Sequence, residues 1–240
     1  MVFVSEIFYS LQGEGRYAGR PSVFVRFGGC NLRCEGFGGK CDSYYAVDGS
    51  FRDEWNKYDA SELIAEHSKA KQHAYADTVL TGGEPTLWFK DVDFTAFATH
   101  LMASGSAVTV ETNGTKLVDF DFEPYRQFNY AISLKLSNSG EKIKDRLNAE
   151  AIEAYVKNSK HFFKFVLDAD FVASGDAKAE IDYLVQRFGI SAQNIYCMPL
   201  GASRDELAKN AKNVFEFCAA EGYSYSDRLH IRVFDKKKGI

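Results

Sequence analysis

No apolar run in this chain approaches the roughly 20 residues needed to cross a bilayer as a helix, so no membrane-spanning helix is expected. The N-terminus, Met1-Val2-Phe3-Val4-Ser5-Glu6, has no basic region followed by an apolar segment. No signal peptide is expected, and a cytoplasmic protein is. No repeat, low-complexity tract or linker divides the 240 residues, so one domain spanning 1–240 is expected. Strong charge is lacking too. A net charge of −4 gives no general attraction to nucleic acid. Cysteine is scarce, at five residues, yet three of the five fall between positions 30 and 41. In a reducing compartment such a cluster points to metal binding or catalysis rather than to disulfides. Cys197 and Cys218 lie in apolar contexts and are expected to pack in the core.

Apolar residues make up 45% of the chain and charged residues 26%, as in ordinary globular proteins. The apolar run Val23-Phe24-Val25-Arg26-Phe27 reads as a buried strand. Gly28 and Gly29 break it, and the thiol-rich loop Cys30-Asn31-Leu32-Arg33-Cys34-Glu35-Gly36-Phe37-Gly38-Gly39-Lys40-Cys41 follows. Further strands are expected around Val79, Val108, Ala131, Phe163 and Ile195, separated mostly by helices. One helix opens at Asp59-Ala60-Ser61-Glu62, with His67 on its surface. Others cover Val92 to Met102, Ala149 to Tyr155 and Lys178 to Phe188, and the last runs from Ser203 to about Glu221. Glu6 to Ser10 reads as a short leading strand, residues 48–58 as a loop, and Arg228 to Phe234 as a late strand. Alternation of this kind means a parallel sheet with crossover helices. Six repeats make an α/β fold of the partial, open (β/α)6 barrel type, where eight would close the barrel.

Each polar cluster of the chain follows a strand, and a parallel barrel gathers such ends on one face. Three thiolates on one loop are one short of a closed tetrahedral or cubane set, which suggests a metal or iron–sulfur site with an open position. In Leu11-Gln12-Gly13-Glu14-Gly15 the glycines let backbone approach a ligand, and Gln12 and Glu14 can offer polar groups to a pocket. Taken alone, this stretch reads first as a plain surface turn. Arg26 is costly inside an apolar strand unless paired. It is either a snorkelling residue or an anion-binding one, whose planar fork suits a carboxylate. Asp42 and Ser43 are hard oxygen ligands beside soft sulfurs, although an Asp-Ser pair is usually a turn. Thr81-Gly82-Gly83-Glu84-Pro85 presents backbone groups and a carboxylate that can hold a cationic amine. Glu111, Asn113, Ser133 and Lys135 complete the mouth.

The thiol loop, followed by Thr81 to Pro85, resembles the radical S-adenosylmethionine superfamily. Several further stretches resemble its 7-carboxy-7-deazaguanine synthase family: Glu6 to Gly15, Phe24 to Cys34, Cys41-Asp42-Ser43, Glu111-Thr112-Asn113-Gly114, Ser133-Leu134-Lys135 and Arg228-Leu229-His230-Ile231. Three departures stand out. Six residues, Glu35 to Lys40, separate the second and third cysteines where the superfamily pattern has two. Ser43 stands where Thr is usual, and Leu134 where Pro is.

The resemblance implies that Cys30, Cys34 and Cys41 hold a [4Fe–4S] cluster whose fourth iron takes S-adenosylmethionine. Gly83 and Glu84 would fix the methionyl end of that cofactor, and Ser133, Leu134 and Lys135 would line the adenosyl end. It further implies that a 5′-deoxyadenosyl radical takes hydrogen from C6 of 6-carboxy-5,6,7,8-tetrahydropterin. The ring then contracts with loss of ammonia, in a pathway to 7-deazapurines such as queuosine. Leu11, Gln12, Gly13, Arg26 and Thr81 would bind the pterin, with Glu14 close by as an acid–base candidate and Ser43 holding Mg²⁺. A homodimer and an electron donor such as flavodoxin or ferredoxin are implied as well. Two other readings stay open: a glycyl-radical activase acting on a partner protein, and a non-enzymatic zinc-binding module.

Overall fold

The computed structural model of the chain describes residues 1–237 and 239. Its nine strands are β1 (Val2–Leu11), β2 (Pro21–Phe27), β3 (Asn56–Tyr58), β4 (Asp77–Gly82), β5 (Val108–Thr112), β6 (Asn129–Ile132), β7 (Lys160–Leu167), β8 (Ile195–Pro199) and β9 (Ser224–Tyr225). They form one sheet in the order β3-β1-β2-β4-β5-β6-β7-β8-β9. β2 and β4 to β8 are the six strands expected from sequence, and each pairs parallel with the next. β1 folds back antiparallel on β2, and β3 lies antiparallel on β1. The sheet therefore has free edges at β3 and β9 and does not close.

The helices form where side chains satisfy their first backbone N–H groups. Asp59 and Glu62 make a reciprocal capping box for Ala60–Ala70. Asp91 caps Val92–Ala103, Asn148 caps Ala149–Asn158 and Ser203 caps Arg204–Glu221. Gly189 and Gly222 end the helices Asp176–Phe188 and Arg204–Glu221 in the left-handed conformation that glycine adopts without strain.

Strand side chains alternate between faces. One face carries Val25, Phe27, Leu80, Val110, Ile132, Phe163 and Phe165, which are buried with Phe94, Phe97, Leu101, Ile152, Ile181, Leu184 and Val214 of the helices in one core. The pairing registers put Arg26 beside Thr81, and Glu111 and Lys164 fall on that same opposite face. That face of the sheet is therefore polar at its carboxyl end.

Three local expectations are corrected. His67 is 3% exposed, not on the surface, and its Nε2 lies 2.9 Å from Thr78 Oγ1. Its helix turns that face inward against Phe97. Residues 48–58 are not all loop, because Gly49–Glu54 coils into a 3-10 turn and β3 follows. The late strand at Arg228 to Phe234 is instead a short helix, Leu229–Phe234. The sheet edge beside β8 is already taken by β9. Leu229 and Val233 remain exposed while Ile231 is buried, so only a single apolar side chain needed cover.

Candidate active site

The thiol loop begins where β2 ends, and glycines lock it to the loop after β4. Gly83 N–H donates to the Phe27 carbonyl at 3.0 Å, and Glu84 N–H donates to the Gly29 carbonyl at 2.8 Å. A Cβ on Gly83 would lie 2.0 Å from the Gly29 oxygen, so only glycine allows this approach. The Glu84 carboxylate is fully buried. It accepts hydrogen bonds from Thr86 N at 3.1 Å, Thr112 Oγ1 at 2.7 Å and Asn113 N at 2.7 Å, and from the Thr86 hydroxyl. Burial pushes its pKa up, against the pull of those donors. Glu84 thus ties the loops after β4 and β5 together from behind.

Cys30, Cys34 and Cys41 all line one cavity of about 820 Å³ at the carboxyl ends of the strands. Burial pushes the Cys30 and Cys41 thiols up to about 12, and Cys34 adds to that push on both. The Lys135 ammonium opposes it at all three, so the three thiols share one neighbourhood. Cys197 and Cys218 are buried in the core beside each other and supply no fourth ligand. Among the described residues, no three His, Cys, Asp or Glu side chains are grouped around a single ion position. A cubane takes one thiolate at each of several separate irons, and Cys30, Cys34 and Cys41 are the residues that would supply them.

The same cavity is lined by Leu11, Gln12, Gly13, Glu14, Arg26, Ser43, Thr81, Gly83, Ser133 and Lys135. Of the residues expected at the site, Glu84 and Leu134 are not on its wall. Both are buried, Leu134 in the core cluster.

A ladder of alternating charge crosses the cavity floor. Glu111 accepts from Thr81 Oγ1 at 2.8 Å and from Lys164 Nζ at 3.3 Å. Lys164 also donates to Glu14 at 2.9 Å, and Glu14 accepts from Arg228 Nε at 2.9 Å. Arg228 reaches on to Asp42, whose Oδ1 accepts from Ser43 Oγ at 3.3 Å. Arg26 stands 3.4 Å from Ser43 Oγ and pairs with Glu6 at 2.7 Å. Burial alone would raise the Glu14 pKa, but the Lys164 and Arg228 cations hold it well below the usual carboxylate range. Glu14 at neutral pH therefore accepts and does not donate.

Sequence reading placed Glu111 at the mouth but gave no site role to Glu6, Lys164, Arg228 or His230. A signal was present for Lys164, a charge inside an apolar strand like Arg26. Arg228 and His230 arrive on the helix Leu229–Phe234 and its cap, which the expected late strand concealed. Leu229 N–H donates to the Gly13 carbonyl at 3.0 Å, and a Cβ on Gly13 would strike His230 Nδ1 at 2.2 Å. The first and last elements of the described chain thus meet over the same pocket.

An open parallel sheet with three thiols on the loop after its first parallel strand fits the radical S-adenosylmethionine class that the sequence resembles. Solved structures share the fold: QueE from Escherichia coli, at a TM-score of 0.69 and 21% identity over 95% of this chain and 94% of that one. Native anSMEcpe with bound AdoMet matches at a TM-score of 0.55 and 16% identity, over 82% of this chain and 61% of that one. No protein-family model matches. The 7-carboxy-7-deazaguanine synthase of Pyrobaculum aerophilum is 33% identical over 99% of this chain and 97% of its own length. That of Rhodopirellula baltica is 31% identical over 99% and 88%. The chain belongs to the 7-carboxy-7-deazaguanine synthase family, lyases of 7-deazapurine biosynthesis.

Proposed function

We propose that the chain, acting as one domain, converts 6-carboxy-5,6,7,8-tetrahydropterin to 7-carboxy-7-deazaguanine and ammonia. The observation that carries this reading is that the thiol loop and the Gln12–Glu14, Arg26 and Ser43 wall open on one cavity. Cys30, Cys34 and Cys41 would hold a [4Fe–4S] cluster, and Gly83, Ser133 and Lys135 would hold S-adenosylmethionine. When bound, cluster and cofactor together supply one-electron chemistry that removes a hydrogen atom from the substrate. Glu84 and Leu134 would act from behind that wall by holding its backbone in place.

Arg26 suits the substrate carboxylate in charge and planar geometry. Leu11, Gln12 and Gly13 present backbone and amide groups to the pterin edge, and Thr81 faces it from the next strand. Glu14, kept ionised by Lys164 and Arg228, accepts hydrogen bonds from ring N–H groups. Ser43, with Asp42 beside it, offers hard oxygen to Mg²⁺, which usually keeps only one or two protein ligands. The reaction needs an electron donor, and a flavodoxin or ferredoxin has the required chemistry. Working form is a homodimer, in keeping with the family. Neither nucleic acid nor membrane is a partner. Within the described residues no helix is long and apolar enough to cross a membrane, and a cytoplasmic location is consistent with that.

The test is turnover. Anaerobically reconstituted protein, given reductant, S-adenosylmethionine, Mg²⁺ and the carboxypterin, is expected to release the deazaguanine acid, detected by mass. Cys34→Ala should release none. A preparation holding about four irons that cleaves S-adenosylmethionine but leaves the pterin intact would favour the activase reading instead.

A further inference from the structure

The six-residue spacer between Cys34 and Cys41 turns on itself, with Phe37 N–H donating to the Cys34 carbonyl at 3.3 Å and Gly39 N–H to the Glu35 carbonyl at 2.8 Å, and it is also tied to a neighbouring segment. Its first half is fixed to one segment, the turn Asn138 to Glu141. Gly36 N–H donates to the Ser139 carbonyl at 2.9 Å, and a Cβ on Gly36 would lie 2.4 Å from the Asn138 oxygen. Gly140, at φ +77°, meets Gly36 from the other side, where a Cβ would approach its nitrogen to 2.9 Å. Backbone thus packs on backbone with no side chain between. Glu141 completes the contact. Its Oε1 accepts from Cys34 N at 2.7 Å and also from Arg33 N. The second half, Gly38 and Gly39, has positive φ and open space around it.

We infer that Glu141 is a positioning residue for the iron–sulfur site: its carboxylate fixes the backbone of Cys34 and so sets the middle thiolate of the three. Cys34 sits at φ +53°, in the left-handed region that a non-glycine residue occupies only under constraint. A charge-assisted hydrogen bond at that residue's own N–H supplies the constraint. Glu141 is not among the residues that line the cavity. The same turn continues to Arg146, which donates to the Lys135 carbonyl at 2.7 Å and pairs with Glu180 at 3.0 Å. One short segment therefore steadies both the thiol loop and the Ser133–Lys135 wall. The inference rests on the three-thiol cluster assigned above.

Iron retention tests it. Wild type, Glu141→Ala and Glu141→Gln are reconstituted anaerobically, then challenged with a chelator while iron and sulfide are counted. The reduced protein is followed by electron paramagnetic resonance with and without S-adenosylmethionine. Ligand-orienting partners typically matter by roughly 10- to 100-fold in metal affinity, so Glu141→Ala should lose iron about ten-fold more readily. Glu141→Gln, which keeps an acceptor oxygen, should restore most of the retention. The spectral shift caused by S-adenosylmethionine should broaden or vanish in the alanine variant. Circular dichroism of the apo forms separates loss of the site from loss of the fold. Wild-type retention and spectra in Glu141→Ala overturn the inference, as does a glutamine variant no better than alanine. A wild type that binds no iron and sulfide instead overturns the cluster reading beneath it.

Discussion

At the scale of single residues, most of the site's chemistry comes from charges taken out of water. Lys164 is 6% exposed at its side chain and lies between Glu14 and Glu111. Removing one member of a buried ionic set strands its partners, at a cost of about 3 kcal/mol. Lys164→Met should lower the urea midpoint accordingly. A variant as stable as wild type would mean that water already solvates these carboxylates. His67 gives a pH prediction that is independent of the cavity. Burial lowers its pKa to about 4 from the ordinary 6.5, so the fold favours neutral imidazole. Its contribution is full above pH 6.5 and is lost as the pH falls towards 4, because the unfolded chain binds the proton more readily. The thermal midpoint should fall across that window, and His67→Gln should flatten the fall. Arg26 was legible as a site residue because a cation in an apolar strand needs a reason. Lys164 met the same criterion. Its partners are Glu14 and Glu111, 150 and 53 positions away, and no local pattern connects them.

At the scale of elements, the six parallel strands were legible because each centres on a short run rich in Val, Ile, Phe or Leu that a glycine or polar cluster ends. The helix Leu229–Phe234 was not. Its alternating Leu229, Ile231 and Val233 mimic a half-buried strand, and only the occupied sheet edge decides otherwise. This helix presses on the exit of β1. Gly13→Ala pushes a methyl group into the His230 ring. A side chain can swing aside where backbone cannot, so the fold should survive with its melting temperature little changed. The pterin's KM should rise about ten-fold or more, from a pocket misplaced by an ångström or so. A KM unchanged alongside a lower kcat would place the pterin away from this contact.

At the scale of the whole molecule, the thiol loop, the charge ladder and the terminal helix converge only through the sheet's register. Sequence reading reached their common face by counting strand ends, but not the order of charges across it. The parallel sheet stops short of closure at β9, and β3 and β1 extend its other end. If the proposed homodimer forms, the protein should sediment in solution at about twice 26.9 kDa. A mass of one chain at micromolar concentration would remove the dimer from the proposal.

The close approach of Gly83 to Gly29 has an outcome for sequence variation. Two loops that touch backbone to backbone leave no slack that a neighbouring change could take up. In a saturation library selected for deazaguanine production, position 83 should return glycine alone. Gly49, which has open space around it and no positive φ, should tolerate most side chains. The rim has room for a longer spacer at Gly38 and Gly39, but none for a side chain in the seam where the loops meet.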